Sequence, residues 1–333
     1  MNGVLVTGVA GFIGFHVASR LAARGERVIG IDDLNDYYDP ALKRARLAAL
    51  AERHGDRVRF TQVDFADQAG LQAAVAGSSF DRIVHLGAQA GVRYSIERPD
   101  VYGRSNLIGH LNLLELARAR QVAHLVYASS SSVYGANRNM PFRVGDPVEQ
   151  PISLYAATKR ANELMSESYA HLFRLPQTGL RFFTVYGPWG RPDMAVWLFT
   201  QAIMAGRPIR VFNDGRMERD FTYIDDIVDG VLSSLDRPPA DDGTAKPGGS
   251  TSPHALYNLG HNRPEPLGKL IDLIEEACGR PAIRDNQPMQ PGDVPATFAD
   301  VGDAERELGY RPGTSLEIGI PSFVEWYRGY AAT

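Results

Sequence analysis

Tyr155 and Lys159 stand four residues apart in a stretch with helical periodicity, so their side chains would be neighbours on one face of a helix. A free tyrosine has a pKa of about 10 and is a poor base at neutral pH, but a nearby ammonium favours the phenolate. Such a phenolate could remove a proton from a hydroxyl group while a hydride leaves for an oxidised acceptor. The same spacing is common on solvated helices, so the surrounding elements must decide between the two interpretations.

A site for a hydride acceptor is indicated by Gly8, Gly11 and Gly14, which lie between the first strand pattern and the first helix pattern. Glycines let the backbone turn tightly and approach a pyrophosphate, and the helix that starts near Phe12 and Ile13 offers free N–H groups to that anion. The spacing is G-x-x-G-x-x-G rather than the dinucleotide fingerprint G-x-G-x-x-G, so the motif alone is also consistent with a tight turn.

Asp32 strengthens the dinucleotide interpretation. It ends the second strand pattern, 18 residues after Gly14, where a carboxylate accepts hydrogen bonds from an adenosine ribose. Asp33 adds a second negative charge that disfavours a 2′-phosphate, so we predict NAD rather than NADP as the cofactor. A turn-capping role for Asp32 fits the combined pattern less well. Asp64, after the third strand pattern, is explained equally well as a contact of the adenine amino group or as the first residue of a loop.

Short β-rich runs alternate with helical patterns through the first half of the chain, which predicts a parallel sheet with helices on both faces. Strands are expected at 4–6, 28–31, 58–60, 82–85, 124–127 and 179–183, and helices at 12–23, 40–53, 107–119 and 156–172. Beyond about Pro188 the pattern changes to helices at 195–205, 224–235 and 267–278. We predict a Rossmann-type, doubly wound α/β domain over 1–187 and a smaller mixed α/β substrate domain over 188–333, with some C-terminal segments returning to the first.

Composition narrows the class of protein. The chain has 333 residues, of which 44% are hydrophobic, and its 35 basic and 39 acidic residues give a net charge of −4, without the broad basic field that nucleic-acid binding needs. Cys278 is the single cysteine, and no apolar run reaches the roughly 18 residues of a membrane helix. Met1-Asn2-Gly3 leads straight into a strand pattern, without a signal sequence. We therefore expect a cytoplasmic protein without a membrane or nucleic-acid partner, and the histidine spacing predicts no metal.

Together these motifs make the chain resemble the extended short-chain dehydrogenase/reductase family and, within it, the nucleotide-sugar 4-epimerases of the UDP-glucuronate type. The resemblance covers nearly the whole chain and rests on residues 7–14, 30–38, 85–93, 129–135, 155–159 and 290–293. It implies that bound NAD transiently oxidises the sugar at C4, that the 4-keto intermediate rotates, and that hydride returns to the opposite face, which converts UDP-glucuronate to UDP-galacturonate. It also implies a homodimer through a four-helix bundle built from helices at 106–119 and 156–173.

The resemblance assigns roles to individual residues. Tyr155 would be the base, Lys159 its partner at the nicotinamide ribose, and Ser130 the hydrogen-bond partner of the C4 oxygen. The implied cofactor contacts also include Asn35, Lys43, Asp64, Phe65, Leu86, Gly87, Ala88, Gln89, Asn106 and Ser129. The implied substrate contacts are Arg93, Ser130, Ser131, Ser132, Thr184, Arg191, Arg210, Phe212, Arg219 at the UDP pyrophosphate and Asp293 at the uridine ribose.

The residues after Ser130 separate the reactions of this family. Dehydratases carry an Asp-Glu pair there and decarboxylases a glutamate nearby, whereas this chain has Ser131 and Ser132, whose hydroxyls are not bases near neutral pH. We hypothesise that Ser130, Ser131, Ser132 and Thr184 hydrogen-bond a C6 carboxylate and hold its C5–C6 bond out of alignment for loss of CO2. For Ser131 and Ser132, a role in simply ending a strand is an equally good explanation.

Two alternatives to this function remain open. UDP-galactose 4-epimerases carry an arginine where this chain has Gln290 and an asparagine where it has Thr184, so a UDP-glucose/UDP-galactose 4-epimerase is the nearest alternative enzyme. A non-catalytic NAD-binding sensor on the same fold is the second alternative. Such a sensor would keep Gly8 to Gly14 but would have no use for Tyr155 and Lys159.

Overall fold

The computed structural model describes residues 3–288 and 296–332. Its strands are β1 (Gly3–Thr7), β2 (Val28–Asp32), β3 (Val58–Gln62), β4 (Phe80–His85), β5 (His124–Ser130), β6 (Gln177–Phe182), β7 (Thr184–Tyr186), β8 (Pro208–Phe212), β9 (Glu218–Tyr223), β10 (His254–Leu259), β11 (Pro264–Pro266), β12 (Ile283–Gln287) and β13 (Ala296–Thr297). Its α-helices are α1 (Phe12–Ala23), α2 (Pro40–His54), α3 (Gln68–Val75), α4 (Tyr94–Glu97), α5 (Pro99–Tyr102), α6 (Gly109–Arg120), α7 (Leu154–Phe173), α8 (Ala195–Met204), α9 (Ile224–Leu235), α10 (Leu267–Cys278), α11 (Gly302–Leu308) and α12 (Leu316–Ala331). The positions of Gln290 and Asp293 lie outside the described residues.

The main sheet has seven parallel strands in the order β10-β6-β5-β4-β1-β2-β3. Every residue of β1 is buried, as expected for a central strand of a sheet that helices cover on both faces. The strand order reverses at β1, and ligands of such sheets bind in the crevice at the carboxyl ends of the strands at this point. The predicted Rossmann-type, doubly wound α/β fold is confirmed, and each strand predicted in the first half overlaps an observed one.

The second half of the chain builds smaller β-structure beside this sheet. Strand β9 pairs with β7, β11 and β13, while β8 pairs with β12. Helices α8, α10 and α12 contribute to an apolar core that includes Trp197, Ile271 and Phe323. Strand β10 returns to the edge of the main sheet beside β6, so the two halves of the chain are interleaved.

Local signals explain where the helices that border the cavity begin. Asp39 accepts the N–H of Ala41 at 2.8 Å and Pro40 takes the first position of α2, which suits its fixed φ. Ser153 accepts the N–H of Ala156 at 3.1 Å and so starts α7 one residue before Tyr155. The helix predicted at 107–119 instead begins at Gly109, because a wide π turn occupies 103–108.

Among the described residues, no helix is long and apolar enough to cross a bilayer.

Candidate active site

A cavity of about 560 Å³ opens at the carboxyl ends of the central strands of the main sheet. From the predicted cofactor set its wall contains Gly8, Gly11, Phe12, Ile13, Gly14, Asp32, Asn35, Lys43, Phe65, Leu86, Gly87, Ala88, Gln89 and Ser129. From the predicted catalytic and substrate sets it contains Arg93, Ser130, Ser131, Ser132, Tyr155, Lys159, Thr184, Arg191 and Arg219. The fold therefore brings both sets to one cavity, as a site for two adjoining ligands requires.

The glycine turn after β1 is shaped by backbone contacts that leave no room for side chains. Gly8 has a φ of +70°, and a Cβ there would lie 2.7 Å from the amide nitrogen of Gly87. A Cβ at Gly14 would overlap the carbonyl oxygen of Gly8, which accepts the N–H of Gly11 at 2.9 Å. The turn that leads into α1 thus presents three glycines to the cavity, and this cradle fits a pyrophosphate.

Asp32 lies at the end of β2, and the turns on either side hold its carboxylate. Its two oxygens accept the N–H of Ala10 at 3.1 Å and of Leu34 at 2.9 Å. Burial raises the pKa of Asp32, while the hydrogen bond from Leu34 and the charge of Lys43 oppose that rise. Lys43 itself donates to Asn35 at 2.7 Å. Both carboxylate oxygens keep lone pairs for a second donor, which is the arrangement a ribose diol needs.

Tyr155 and Lys159 line the cavity from the first two turns of α7. Lys159 Nζ donates to the carbonyl of Ala128 at 3.0 Å, and burial lowers the pKa of Lys159 to about 8. The sequence led us to expect that Lys159 lowers the pKa of the phenol. In the structure burial has the larger effect and raises the pKa of Tyr155, while a hydrogen bond with Ser130 and the charge of Arg191 oppose the rise. Within the protein, the cation that favours the phenolate is therefore Arg191.

Ser130, Ser131 and Ser132 form a tight turn at the end of β5, the serine turn. Ser130 Oγ donates to Ser132 Oγ at 3.1 Å and accepts the Ser132 N–H at 3.2 Å. Ser131 begins the 3₁₀ turn that follows, and Thr184 lies across the cavity at the start of β7. Four hydroxyl-bearing residues therefore line the same cavity as Tyr155, as the carboxylate hypothesis requires.

A buried ion pair beneath the serine turn was not predicted. Arg181 Nε and Nη2 lie 2.8 and 2.9 Å from the two oxygens of Glu163, and each side chain is 1% exposed. Burial alone would raise the pKa of Glu163, but Arg181 holds it below its ordinary value. Ser129 donates to the same carboxylate at 2.6 Å, so the pair supports the residue that precedes Ser130. The available signal was the spacing of Tyr155, Lys159 and Glu163, which puts all three on one face of α7.

A second unpredicted group holds Arg191. Its Nε donates to Asp193 Oδ1 at 3.0 Å, and Tyr37 donates to the other oxygen of that carboxylate, also at 3.0 Å. Tyr37 belongs to the segment 30–38 on which the family resemblance rests, but no role for it was predicted. The long-range contact between Tyr37 and Asp193 orients Arg191 from the far side of the cavity.

Four predicted contacts lie away from the described cavity wall. Asp64 accepts the N–H of Ala66 at 2.8 Å and pairs with Arg104 at 2.7 Å, so its carboxylate already has partners. Asn106 accepts the N–H of Gln89 at 2.8 Å and donates back to its carbonyl at 3.0 Å, which makes it a support for a wall residue.

Arg210 and Phe212 belong to β8, which pairs with β12 away from the main sheet. Arg210 is exposed, and Phe212 packs under the guanidinium of Arg93 with 5.5 Å between the guanidinium carbon and the ring centre. Phe212 thus contacts a wall residue without forming part of the wall. Asp293, the predicted contact of the uridine ribose, cannot be placed because it lies outside the described residues.

The charged residues of the wall favour anionic ligands. Its described cations are Lys43, Arg93, Lys159, Arg191 and Arg219, and its described carboxylates are Asp32 and Asp33. Both carboxylates lie at the end of the cavity that Gly8, Gly11 and Gly14 line, the glycine end. The end that Ser130, Ser131 and Ser132 line, the serine end, therefore has no acidic residue among the described wall residues. No group of three or more histidine, cysteine or acidic side chains suited to a metal ion occurs within 3–288 and 296–332.

Comparisons with known proteins agree with this geometry. The model of the NAD dependent epimerase/dehydratase family matches residues 4–246. A Rhizobium meliloti protein named as a probable UDP-glucuronate 4-epimerase is 47% identical over 329 residues, 97% of this chain and 96% of its own length. Arabidopsis thaliana UDP-glucuronate 4-epimerase 4 is 48% identical over 98% of this chain and 75% of its own length.

Among solved structures, the Bacillus cereus UDP-glucuronic acid 4-epimerase in complex with UDP-glucuronic acid and NAD has a similar fold. It superposes with a TM-score of 0.86 at 29% identity, over 98% of this chain and 99% of its own. The similarity therefore extends across both halves of the molecule.

Proposed function

This chain belongs to the NAD-dependent epimerase/dehydratase family, and we propose that it interconverts UDP-glucuronate and UDP-galacturonate by 4-epimerisation with bound NAD. The observation that carries the proposal is the meeting of Tyr155, the serine turn and Arg191 in the cavity that the glycine cradle also lines. The names of its relatives agree with this substrate.

The glycine end holds the cofactor in this proposal. The cradle of Gly8, Gly11 and Gly14 takes the pyrophosphate, and Asp32 accepts from the adenosine ribose. NAD supplies reversible hydride acceptance when it is bound. We assign cofactor binding to residues 1–187 together with β10, and most UDP contacts to residues 188–333, where Arg219 is the described candidate for the pyrophosphate of the substrate.

Tyr155 moves the proton at the serine end. It removes the C4 hydroxyl proton as the C–H bond of that carbon breaks, and it returns the proton when the ketone is reduced. Burial raises the pKa of Tyr155, so the phenolate depends on Arg191, on Ser130 and on cationic charge nearby. We assign Lys159, whose pKa burial lowers to about 8, to the nicotinamide ribose beside Tyr155.

The environment of the ketone favours epimerisation over its competing reactions. The described wall has no carboxylate at the serine end, so elimination of water lacks a base there. Glu163 lies beneath the turn but is paired with Arg181, and Asp193 is paired with Arg191. The hydroxyls of Ser130, Ser131, Ser132 and Thr184 can hold the C6 carboxylate, which stabilises its charge and opposes loss of CO2.

The direct test is incubation of the purified protein with UDP-glucuronate, without added NAD and then with it, followed by NMR of the products. UDP-galacturonate is the expected product in at least one of the two incubations. A UDP-pentose with released CO2, or turnover of UDP-glucose in preference to UDP-glucuronate, would contradict the proposed substrate chemistry.

We further propose a homodimer through α6 and α7. Ile108 and Leu111 are 52% and 40% exposed, and Leu164 and Leu172 on α7 are 55% and 65% exposed. Pairing these helices with those of a second copy would bury this surface in a four-helix bundle. Leu164→Glu should shift the molecular mass in sedimentation from dimer to monomer, whereas Leu198→Glu, at an exposed position on α8, should not.

We also place the enzyme in the cytoplasm. The chain has one cysteine, Cys278, so it cannot form the intrachain disulfides that stabilise many secreted proteins. Fractionation of the source cells, with the protein followed by immunoblotting, tests this placement.

A further inference from the structure

Arg46 is a fully buried arginine on α2 that the proposed mechanism does not use. One of its terminal nitrogens donates to the carbonyl of Ala10 at 2.9 Å and to the hydroxyl of Tyr38 at 2.7 Å. The other donates to the carbonyls of Trp189 and Gly190 at 2.6 and 3.0 Å. A single guanidinium therefore joins the cofactor turn to the segment just before Arg191.

The partners of Arg46 are all neutral. Within residues 3–288 and 296–332 its hydrogen bonds go to three carbonyls and a phenol and none goes to a carboxylate, and its Nε has no hydrogen-bond partner there. A buried charge without a counterion is costly in a folded protein, so such a charge needs compensation from elsewhere. Ala10 belongs to the glycine turn, whose opposite side faces the cavity where the anionic pyrophosphate is proposed to bind.

The segment that Arg46 holds on its other side is conformationally restricted. Trp189 has a φ of +63°, a left-handed conformation that is unfavourable for a bulky residue and persists only where its surroundings impose it. Arg46 accounts for part of that restraint through the carbonyls of Trp189 and Gly190, and packing of the Trp189 ring against Phe15 and Trp326 adds to it. Arg191 follows directly, so its direction into the cavity depends on this segment.

The field of Arg46 also reaches the charged residues of both ends. The Asp32 carboxylate attracts its charge and the Arg191 guanidinium repels it. These effects place the buried charge within range of the ribose-binding carboxylate and of the proposed substrate arginine.

We propose that Arg46 is a positioning residue for both ligands. Its charge lies behind the glycine turn that is proposed to bind the pyrophosphate, and its planar guanidinium group fixes the segment that carries Arg191. The inference rests on the proposed binding of NAD and a UDP-sugar. A lysine at this position would keep the charge but could not donate to carbonyls on both sides. A methionine would remove both the charge and the hydrogen-bond donors.

Calorimetric titration with NAD, adenosine and UDP tests this inference on Arg46→Lys, Arg46→Met and the wild type. The control is Arg44→Met, which removes an exposed charge from the same helix. Arg46→Met should weaken NAD binding by roughly 10-fold or more, the effect of one charge at an effective dielectric constant of about 20, and change adenosine binding by less than about 3-fold. Arg46→Lys should keep NAD affinity within about 3-fold but weaken UDP binding by about 5-fold.

Each contrary result overturns a stated part of the inference. If Arg46→Met binds NAD like the wild type, the charge has no role in cofactor binding. If adenosine affinity falls as much as NAD affinity, the residue only maintains the fold. If Arg46→Lys binds UDP like the wild type, the guanidinium group of Arg46 does not fix the Arg191 segment. These affinities do not depend on which UDP-sugar is turned over, so they remain decisive even if the NMR experiment rejects UDP-glucuronate as the substrate.

Discussion

The glycine end and the serine end of the cavity are built by different means. At the glycine end the ligand-facing surface is backbone, shaped by contacts between Gly8, Gly14 and Gly87 that exclude any Cβ. At the serine end the wall carries hydroxyl and guanidinium groups, which are supported by the buried Glu163–Arg181 pair through Ser129 and by the partly exposed pairing of Arg191 with Asp193. Steric exclusion therefore shapes the cofactor side, whereas charge and hydrogen bonding shape the side where the chemistry is proposed.

This difference implies that the two ends can be damaged separately. Loss of a hydroxyl at the serine end should reduce catalysis without loss of cofactor, while an added methyl group at the glycine end should reduce cofactor binding itself. Four substitutions, taken from the largest expected effect to the smallest, test whether the ends are as independent as their construction indicates.

Tyr155→Phe should give the largest change, because it removes the proposed proton acceptor at the serine end. We expect kcat to fall by about 10²- to 10⁴-fold, the usual range for loss of a general base, while NAD affinity stays within about 3-fold. Steady-state kinetics and NAD titration measure the two quantities. Tyr169→Phe on the same helix, where the hydroxyl donates to Glu115, is the control. Retention of wild-type kcat by Tyr155→Phe would rule out tyrosine as the base.

Glu163→Gln should mainly reduce stability, because it leaves the buried charge of Arg181 without its counterion. We expect a loss of about 3 to 5 kcal/mol in the free energy of unfolding, measured by urea denaturation. Arg160→Gln removes only the less buried partner of Glu163 and should cost less than about 1 kcal/mol. If the two variants were equally stable, the ion pair would not be the support of the serine turn.

Gly14→Ala tests the glycine end. The added methyl group would overlap the Gly8 carbonyl, so the turn must shift, at a cost of roughly 1 to 3 kcal/mol that should appear as about 10- to 100-fold weaker NAD binding. Gly77→Ala is a matched control, because a Cβ there meets no described atom within 4 Å. Equal NAD affinity in the two variants would show that the cradle is not the pyrophosphate site.

Thr184→Val should give the smallest change. Loss of one hydrogen bond corresponds to about 1 to 1.5 kcal/mol, so we expect about 5- to 10-fold weaker binding of UDP-glucuronate together with detectable CO2. Thr61→Val, at an exposed position on β3, is the control. Unchanged affinity with no CO2 released would reject the hypothesis that these hydroxyls hold the carboxylate.

The same contrast explains how much the sequence could predict. The glycine turn, Asp32 and the Tyr155–Lys159 pair depend on contacts within a strand–turn–helix unit or one helical turn, so spacing along the chain was enough to find them. Their shared location at the reversal of the sheet then follows from the parallel fold.

Contacts that join distant segments were not predictable in this way. Glu163 pairs with Arg181 on β6, and Tyr37 bonds Asp193 across 156 positions of the chain. Burial also raises the pKa of Tyr155, and the spacing of Tyr155 and Lys159 could not predict this effect because burial depends on the packing of the whole cavity. Asp64 and Asn106 are predicted as cofactor contacts from their sequence positions, but Asp64 pairs with Arg104 in the turn before α6, and Asn106 bonds to the backbone of Gln89 and the hydroxyl of Thr158 on α7.

The return of β10 to the main sheet has a consequence for how an intermediate could turn over. Asn258 on β10 donates to the carbonyl of Phe142, and the backbone of Phe142 exchanges two further hydrogen bonds with Phe298 and Asp300 of the second half. Several hydrogen bonds thus connect the two halves of the chain. A large separation of the halves would have to break these bonds. We therefore expect the oxidised sugar to rotate within a cavity whose two sides keep their relative positions, rather than through a hinge opening between the halves.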